Sequence, residues 1–279
     1  MKRIGFAYNP TAEVALELRE RGMDWCKING VDAWALPSDQ RPDDPETLAA
    51  TDAIVVLGGD GTFLWAAQTV ADVDVPILGV NVGKVGFLSK AENHALESVL
   101  GQLKADDYVL EPRMMLEITL FDADGATDGR IHTALNEAAV VRGSRAQVMR
   151  VIVDVGDSRV ATYVCDGVVV ASPTGSTGYS FSAGGPILEP TSRNLVVTPI
   201  AAYLTPLRSS VVGAQHVVRV TVQAAYDCIV SIDGREVLPL QVGDRVEVRA
   251  REKPIGFIQP RGALPFWDLL RHKATLLPD

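Results

Sequence analysis

Residues 53–64 read AIVVLGGDGTFL. The first five are all apolar, which is typical of a strand that is buried on both faces of a parallel sheet. Three glycines follow at once, and the residues after them have a helical pattern. A turn of this kind lets a ligand approach the backbone and presents the amino end of the next helix to it. We therefore expect an α/β layer with a phosphate- or sugar-binding turn at residues 58–62.

The pattern of the first hundred or so residues extends this α/β layer in both directions. Apolar runs at 2–8 and 76–80 predict further strands, and 11–21 predicts a helix with Thr11 as its N-cap. Strands that alternate with helices indicate an open, mainly parallel sheet.

The pattern changes after residue 111, where short alternating runs predict antiparallel strands. We expect 217–223 to pair with 226–232, and Asp233 and Gly234 to form a hairpin turn because both central residues tolerate positive φ. The second half is thus predicted to be a β-sandwich. The predicted domains are 1–110 and 111–254, with the tail at 255–279 packing back on the first.

The composition excludes several classes of protein. The 279 residues carry a formal net charge of −9, whereas a general nucleic-acid binder needs a basic face. The three cysteines are far apart in the sequence, so neither a disulfide framework nor a zinc site is indicated. No signal peptide and no membrane-length apolar run is apparent. We expect a cytoplasmic protein that binds neither nucleic acid nor membrane.

Asp60 is the chemically telling residue of the glycine-rich turn. A carboxylate there would repel phosphate unless it binds Mg²⁺ or accepts a proton from an attacking hydroxyl; the alternative is that it caps the helix. The turn does not fit the G-x-G-x-x-G dinucleotide fingerprint. Residues 79–85, GVNVGKV, lack one residue and the Ser or Thr of a P-loop. Lys84 could meet a phosphate there, although an exposed loop lysine is the simpler interpretation.

A second unusual segment, PTGSTGYSFSAGGP, occupies residues 173–186. Its glycines and short hydroxyls can surround a polar ligand, and Tyr179 could stack on a base. The alternative, a flexible loop, would leave Tyr179 and Phe181 in water. The segment does not match the nucleophile elbow G-x-S-x-G, and a chain with four histidines offers little support for a Ser-His-Asp hydrolase.

Polar residues also interrupt two apolar strands. Asn136 and Glu137 cost free energy in an apolar strand unless they find partners, and either a ligand or the backbone at a strand end can provide these. Asp166 and Gly167 follow another strand, where a simple turn is the alternative. Nearby arginines could offset the charge of a pyrophosphate or form a solvated face: Arg142, Arg145 and Arg150.

Taken in order, residues 58–62, 136–137, 166–167 and 173–186 resemble the NAD kinase family, over about residues 4–270. The first motif is shared with diacylglycerol and sphingosine kinases, and the last narrows the match. The resemblance implies an α/β domain and a β-sandwich domain. It also implies transfer of the terminal phosphoryl group of ATP with Mg²⁺, or of polyphosphate, to the adenosine-ribose 2′-hydroxyl of NAD, by a homodimer or homotetramer.

The resemblance also implies roles for individual residues. Asp60 matches the proton acceptor, Asn136 and Glu137 match residues that hold the ribose and adenine end of NAD, and the loop after residue 176 wraps the NAD. The phosphate loop is Gly58, Gly59, Gly61 and Thr62. The NAD-binding set is Asp60, Gly61, Asn136, Glu137, Asp166, Thr177, Gly178, Tyr179, Ser180, Phe181, Ser182 and Arg235. No protein ligand set for a metal is recognisable.

Three positions depart from the family pattern. Trp65 occupies a position that is basic in many members, Gly178 replaces a commoner alanine, and Val164 is apolar where some members are charged. These departures bear on the donor preference and on the fine geometry of the phosphate site.

Two alternatives stay open at this point. A lipid kinase of the diacylglycerol type would need a membrane-facing surface, against which the net charge of −9 and the lack of a basic amphipathic helix argue. A non-catalytic NAD- or NADP-binding sensor would not require Asp60. The sequence leaves undecided the phosphoryl donor, the acceptance of NADH, the oligomer number and any regulator.

Overall fold

The structure is a computed structural model that describes residues 1–40, 45–83, 86–144, 147–205 and 207–275, with only the backbone of 45 and 273–275. Contacts divide the chain into two compact units. The first comprises Met1–Pro112 with Ile255–Asp279, and the second comprises Arg113–Pro254. The predicted domains, 1–110 with the tail at 255–279 and 111–254, stay a prediction.

The helices and strands are numbered in chain order. The amino-terminal part contains β1 (Arg3–Tyr8), α1 (Glu13–Ile28), β2 (Asp32–Pro37), α2 (Pro45–Ala49), β3 (Ala53–Leu57), α3 (Asp60–Thr69), β4 (Ile77–Asn81), β5 (Ser89–Glu92), α4 (Leu96–Lys104) and β6 (Tyr108–Arg113). The middle contains β7 (Leu116–Phe121), β8 (His132–Ala134), β9 (Glu137–Arg142), β10 (Met149–Val155), β11 (Ser158–Cys165), β12 (Gly167–Ala171), α5 (Tyr179–Ser182), β13 (Asn194–Ile200), β14 (Ser210–Gly213), β15 (Val218–Ala224), β16 (Cys228–Ile232), β17 (Glu236–Leu240) and β18 (Arg245–Ala250). The chain closes with β19 (Ile255–Pro260) and α6 (Phe266–Thr275).

The first unit is an α/β layer around one sheet in the order β2-β1-β3-β4-β19-β6, with β5 beside β4. The pairings of β1 with β2 and β3, and of β4 with β3, β5 and β19, are parallel. Every residue of β3 is buried, which explains its unbroken apolar sequence, and apolar residues of α1 and α4 join the same core. The predicted open, mainly parallel sheet is confirmed.

The second unit is built from two antiparallel sheets. Their strand orders are β11-β10-β15-β18-β7-β8 and β14-β13-β12-β9-β16-β17. Alternate residues of both sheets, such as Val151 and Val153 on β10 and Val168 and Val170 on β12, form one apolar core. This alternation is what period-2 strands dictate when one face is buried, and it confirms the predicted β-sandwich.

Two local predictions were wrong. Thr11 does not cap α1, because the helix begins at Glu13 after Ala12, and the Thr11 hydroxyl instead lies 2.9 Å from Asn9 Oδ1. Residues 217–223 and 226–232 do not pair either, since β15 and β16 belong to different sheets. Both strands bury alternate residues in the same core, so the two patterns are alike whether strands pair or face each other.

Among the described residues no helix is long and apolar enough to cross a membrane.

Candidate active site

The glycine-rich turn joins β3 to α3 as predicted. Gly59 is the N-cap and Asp60 is the first helical residue, so the alternative that Asp60 caps the helix is wrong. A Cβ at Gly58 would collide with the Thr62 side chain, whereas Cβ atoms at Gly59 and Gly61 would meet nothing within 4 Å. Gly58 is therefore needed for packing, while Gly59 and Gly61 leave open space at the amino end of α3.

The Asp60 carboxylate has a distinctive environment within the first unit. Its Oδ1 atom is buried and has no hydrogen-bond partner. A Cβ at Gly86 would collide with this oxygen, so the glycine leaves room for the carboxylate. Buried polar atoms normally have partners, because desolvation is costly. An unpartnered carboxylate oxygen beside a helix amino end indicates a group that acts on a bound ligand.

In the second unit, Asn136 and Glu137 lie where β9 begins, and the carboxylate of Asp233 holds their backbone. Asp233 Oδ2 accepts the Leu135 N–H at 2.8 Å, while Oδ1 accepts the Asn136 and Glu137 N–H groups at 2.8 and 3.1 Å. Asp233 and Gly234 have φ values of 50° and 65°, so the predicted hairpin turn is confirmed. The role of its carboxylate was not predicted from the sequence.

The loop at 173–186 packs directly on Asn136 and Glu137. Ser172, just before the loop, donates its N–H to the Asn136 carbonyl oxygen at 2.8 Å, and a Cβ at Gly175 would collide with the Asn136 backbone. A Cβ at Gly178 would lie 3.4 Å from Glu137 Oε2 and 4.0 Å from Asn136 Nδ2. Two segments that are far apart in the sequence thus form one polar cluster.

Glu137 is electrostatically unusual. The residue is only 8% exposed, and its Oε2 atom is buried without a hydrogen-bond partner. Burial and, second, the negative charge of Asp233 raise the pKa of Glu137 from 4.5 to about 8. At neutral pH the carboxyl group is therefore mostly protonated and can donate a hydrogen bond as well as accept one.

Hydrogen bonds join residues within the loop, but its two aromatic rings are exposed, so the flexible-loop alternative stays open. Ser176 Oγ donates to the Pro173 carbonyl oxygen at 2.7 Å. Ser180 is fully buried, and its hydroxyl lies 2.9 Å from that of Thr198. Ser180 thus supports the loop from below. Among the other predicted residues, Thr177 and Gly178 are half-buried, and Tyr179, Phe181 and Ser182 are exposed.

Asp166 is not brought to this cluster. It precedes β12, whereas the 173–186 loop follows β12, and the register pairs Ala171 with Glu137 and Gly167 with Val141. At about 3.3 Å per residue the backbones of Asp166 and Glu137 are separated by roughly 16 Å along the strands. Asp166 instead forms an ion pair with Arg142, at 3.0 Å between Nε and Oδ1.

The remaining predicted residues are dispersed. Arg235 is exposed just after the Asp233 turn, and Arg150 is exposed on β10. Lys84 and Arg145 lie outside the described residues.

Arg113 is a site residue that the sequence analysis missed. It is only 2% exposed, and its Nη1 atom donates to the Thr174 hydroxyl at 3.2 Å, so a guanidinium group lies beneath the loop. The available signal was weak: an arginine between a proline and two methionines at the predicted domain boundary. Among the described residues, no three His, Cys, Asp or Glu side chains are grouped to hold a metal ion.

Comparison with known proteins supplies the family. A model of the ATP-NAD kinase N-terminal domain matches residues 43–108, and a model of the C-terminal domain matches 135–259. The NAD kinase of Heliobacterium modesticaldum is 37% identical over 281 residues, covering 98% of each chain. The chain belongs to the NAD kinase family. The NAD kinase of Symbiobacterium thermophilum is 43% identical, over 80% of this chain and 78% of that protein.

Solved structures of the NAD kinase family share the fold. An Archaeoglobus fulgidus NAD kinase in complex with ATP aligns with a TM-score of 0.77 and 26% identity, covering 99% of this chain and 100% of that one. A yeast NADH kinase complexed with NADH aligns with a TM-score of 0.86 and 23% identity, covering 99% and 87%. Trp65, which departs from the pattern that the resemblance implies, is buried in α3.

Proposed function

We propose that this chain is an NAD kinase, which transfers the terminal phosphoryl group of ATP to the 2′-hydroxyl of the adenosine ribose of NAD and yields NADP. The observation that carries the proposal is the buried, unpartnered Oδ1 atom of Asp60 in the glycine-rich turn. Family membership supports it, as do the relatives crystallised with ATP and with NADH.

Asp60 is assigned the proton-accepting role. Phosphoryl transfer requires little covalent help from the protein, but it does require an acceptor oxygen placed in line and charge balanced on the transferred group. Asp60 orients the 2′-hydroxyl and takes up its proton, with NAD and donor on opposite sides of the carboxylate. The open space at Gly59 and Gly61 accommodates donor phosphates beside the amides that begin α3.

Mg²⁺ fits this chain as a companion of the nucleotide. Mg²⁺ in kinases is usually held in part by substrate phosphates; because the unpartnered oxygen of Asp60 is assigned to the proton, the ion would be held here by the phosphates of the donor. When bound, the ion neutralises charge on the phosphates of the donor.

The second unit is assigned to the dinucleotide. Asn136 offers an amide, Glu137 offers a mostly neutral carboxyl group, and exposed Tyr179 offers a ring on which a base stacks. Asp166 and Arg235 belong to the proposed NAD-binding set by resemblance. Because Asp166 lies at the far end of β12 from Glu137, the two are assigned to different parts of the ligand.

The setting of the enzyme is also proposed. The free cysteines among the described residues are all buried, which suits a reducing compartment such as the cytoplasm. A homodimer or homotetramer is expected from the resemblance to the family.

The test is an incubation of purified protein with NAD, ATP and Mg²⁺, in which product is detected by an NADP-specific dehydrogenase. Parallel samples replace ATP with polyphosphate, NAD with NADH, or NAD with vesicles containing diacylglycerol. NADP formation supports the proposal, while lipid phosphorylation would favour the lipid kinase. Tight NAD binding without turnover by any donor would favour a sensor and contradict the proposal.

A further inference from the structure

We propose that Asp233 is a positioning residue of the dinucleotide site: its carboxylate fixes the backbone from which Asn136 and Glu137 project, and its charge acts on the Glu137 carboxyl group. This inference rests on the proposed function, because it takes Asn136 and Glu137 to be NAD-binding residues. Asp233 itself is not assigned a contact with NAD.

The geometry of the Asp233 carboxylate carries the first half of the proposal. Its two oxygens accept three consecutive amides, those of Leu135, Asn136 and Glu137, at 2.8 to 3.1 Å. The Asp233 N–H in turn donates to the Glu137 carbonyl oxygen at 3.0 Å. Aspartate combines a short acceptor-only side chain with tolerance of the left-handed φ of 50° found here.

Ser172 holds two of these three residues, Leu135 and Asn136, through their carbonyl oxygens. Its hydroxyl donates to the Leu135 carbonyl oxygen, and its N–H donates to the Asn136 carbonyl oxygen at 2.8 Å. The Asp233 side chain thus accepts all three N–H groups of residues 135–137. Ser172 donates to two of their carbonyl oxygens. Loss of Asp233 would release only one side of this segment, so the strand can still form while the side chains lose their fixed direction.

The charges around Glu137 carry the second half. Asp233 approaches from the β16–β17 turn, and its negative charge is the second cause, after burial, of the raised pKa of Glu137. Strand β12 contributes Ala171, the residue after it is Ser172, and the loop contributes Gly178; none of these ionises. Other charged groups nearby have partners or face solvent: Arg113 bonds Thr174, His132 bonds Glu236, and Arg235 is exposed.

The charge of Asp233 therefore extends the pH range in which Glu137 is neutral. A neutral carboxyl group can donate a hydrogen bond to the ligand, whereas an ionised one can only accept. Wild-type affinity for NAD should fall as the pH rises through about 8, the pKa of Glu137. Removal of the Asp233 charge should move this fall to lower pH.

The experiment is titration calorimetry of the full-length protein with NAD between about pH 6 and pH 9, for wild type and Asp233→Asn. We expect the Kd for NAD at neutral pH to rise about tenfold, which is the usual cost of an unsatisfied buried partner. We also expect the alkaline loss of affinity to begin at lower pH in the variant. If Asp233 only held the backbone, the variant would have a higher Kd but would lose affinity over the same alkaline pH range, the alkaline limb of the profile, as wild type.

Asp122→Asn is the matched control. The Asp122 Oδ1 atom likewise accepts two backbone amides, from Asp124 at 3.0 Å and Ala126 at 2.8 Å, in an exposed turn of the same unit. This variant removes a turn carboxylate that has no contact with Glu137. Its Kd and pH profile should match those of wild type.

A folded Asp233→Asn variant with wild-type Kd and an unmoved alkaline limb would overturn the inference. If that variant does not fold, Glu137→Gln decides, because it cannot ionise and should lack the alkaline limb altogether; a limb that persists would equally overturn the inference. Wild-type protein that does not bind NAD at any pH would contradict the proposed function and this inference with it. If wild type and Asp233→Asn bind NAD with the same Kd and the same pH dependence, the result contradicts this inference and leaves the proposed function standing.

Discussion

Gly58 and Gly61 lie three residues apart in the same glycine-rich segment but differ in what surrounds them. A Cβ at Gly58 would collide with Thr62, while one at Gly61 would meet nothing within 4 Å. Gly61 is also the second residue of α3, where alanine is intrinsically the better helix former. Packing therefore explains the first glycine, and in our account the donor phosphates explain the second.

Gly61→Ala should stabilise the protein by up to about 1 kcal/mol and yet lower kinase turnover, because its methyl group enters the phosphate space. Gly58→Ala, the matched variant, should lose about 1–3 kcal/mol from overpacking. Thermal unfolding and the coupled assay measure both. A Gly61→Ala enzyme with full turnover would show that the donor does not use this space.

The protonation of Glu137 makes a prediction about stability and pH. The folded state holds this proton up to a pKa of about 8, and the unfolded state releases it near the ordinary value of 4.5. The folded state therefore binds more protons between these values, and the free energy of unfolding falls as the pH rises from 4.5 to 8. Above pH 8 the loss is complete.

Glu137→Gln removes this titration. The free energy of unfolding of the variant minus that of wild type should increase by on the order of a few kcal/mol when the pH is raised from about 5 to about 8.5. Denaturant unfolding at the two pH values measures the difference, and titrations shared by both proteins cancel. A stability difference that is the same at both pH values would show that Glu137 is not the group that titrates.

The loop at 173–186 has two sides: one packs on the protein and supports the loop, and in our account the other binds the ligand. Ser180 faces inward and bonds Thr198, while Tyr179 and Phe181 are 43% and 54% exposed. Exposed aromatic rings on an internally bonded loop are expected where a base stacks.

Tyr179→Ala should raise the Kd for NAD by about tenfold or more, since stacking of a base on an aromatic ring contributes about 1–3 kcal/mol. Ser180→Ala should instead cost about 1 kcal/mol of stability through its lost hydrogen bond and leave the Kd near that of wild type. Calorimetry and thermal unfolding separate the two effects. Unchanged NAD affinity in Tyr179→Ala would remove this ring from the base-binding site.

At the scale of strands and helices, the sequence was informative wherever a local signal fixed local geometry. Strand β3 has the predicted bounds, and the Asp233 turn has the predicted positive φ values. Partner choice was not local: β15 and β16 share a core but not a sheet. Thr11 does not cap α1 because the helix begins at Glu13, after Ala12.

In the candidate site, too, local features were predicted from the sequence and contacts between distant residues were not. Residues 136–137 and 173–186 were predicted from composition, and they do meet. Asp166 was predicted with them, but the antiparallel register places it at the other end of β12. Asp233 and Arg113 were missed because their contacts link residues far apart in the chain, and sequence spacing carries no trace of such contacts.

For the whole molecule, the net charge of −9 gives no global attraction to phosphorylated ligands. The phosphates must therefore be held by local donors and by the ion that accompanies the nucleotide. Family matches extend across both compact units, and each unit carries its own part of the proposed chemistry. Asp60 in the first unit is the residue on which the proposed reaction depends.

The most direct test compares Asp60→Asn with wild type, measuring NADP turnover at saturating NAD and ATP and, in the same preparations, the Kd for NAD. The account predicts that turnover falls by roughly 10²-fold or more while the Kd changes little, because a general base acts on the reaction rather than on ground-state binding. Turnover near that of wild type in a folded Asp60→Asn protein would contradict it.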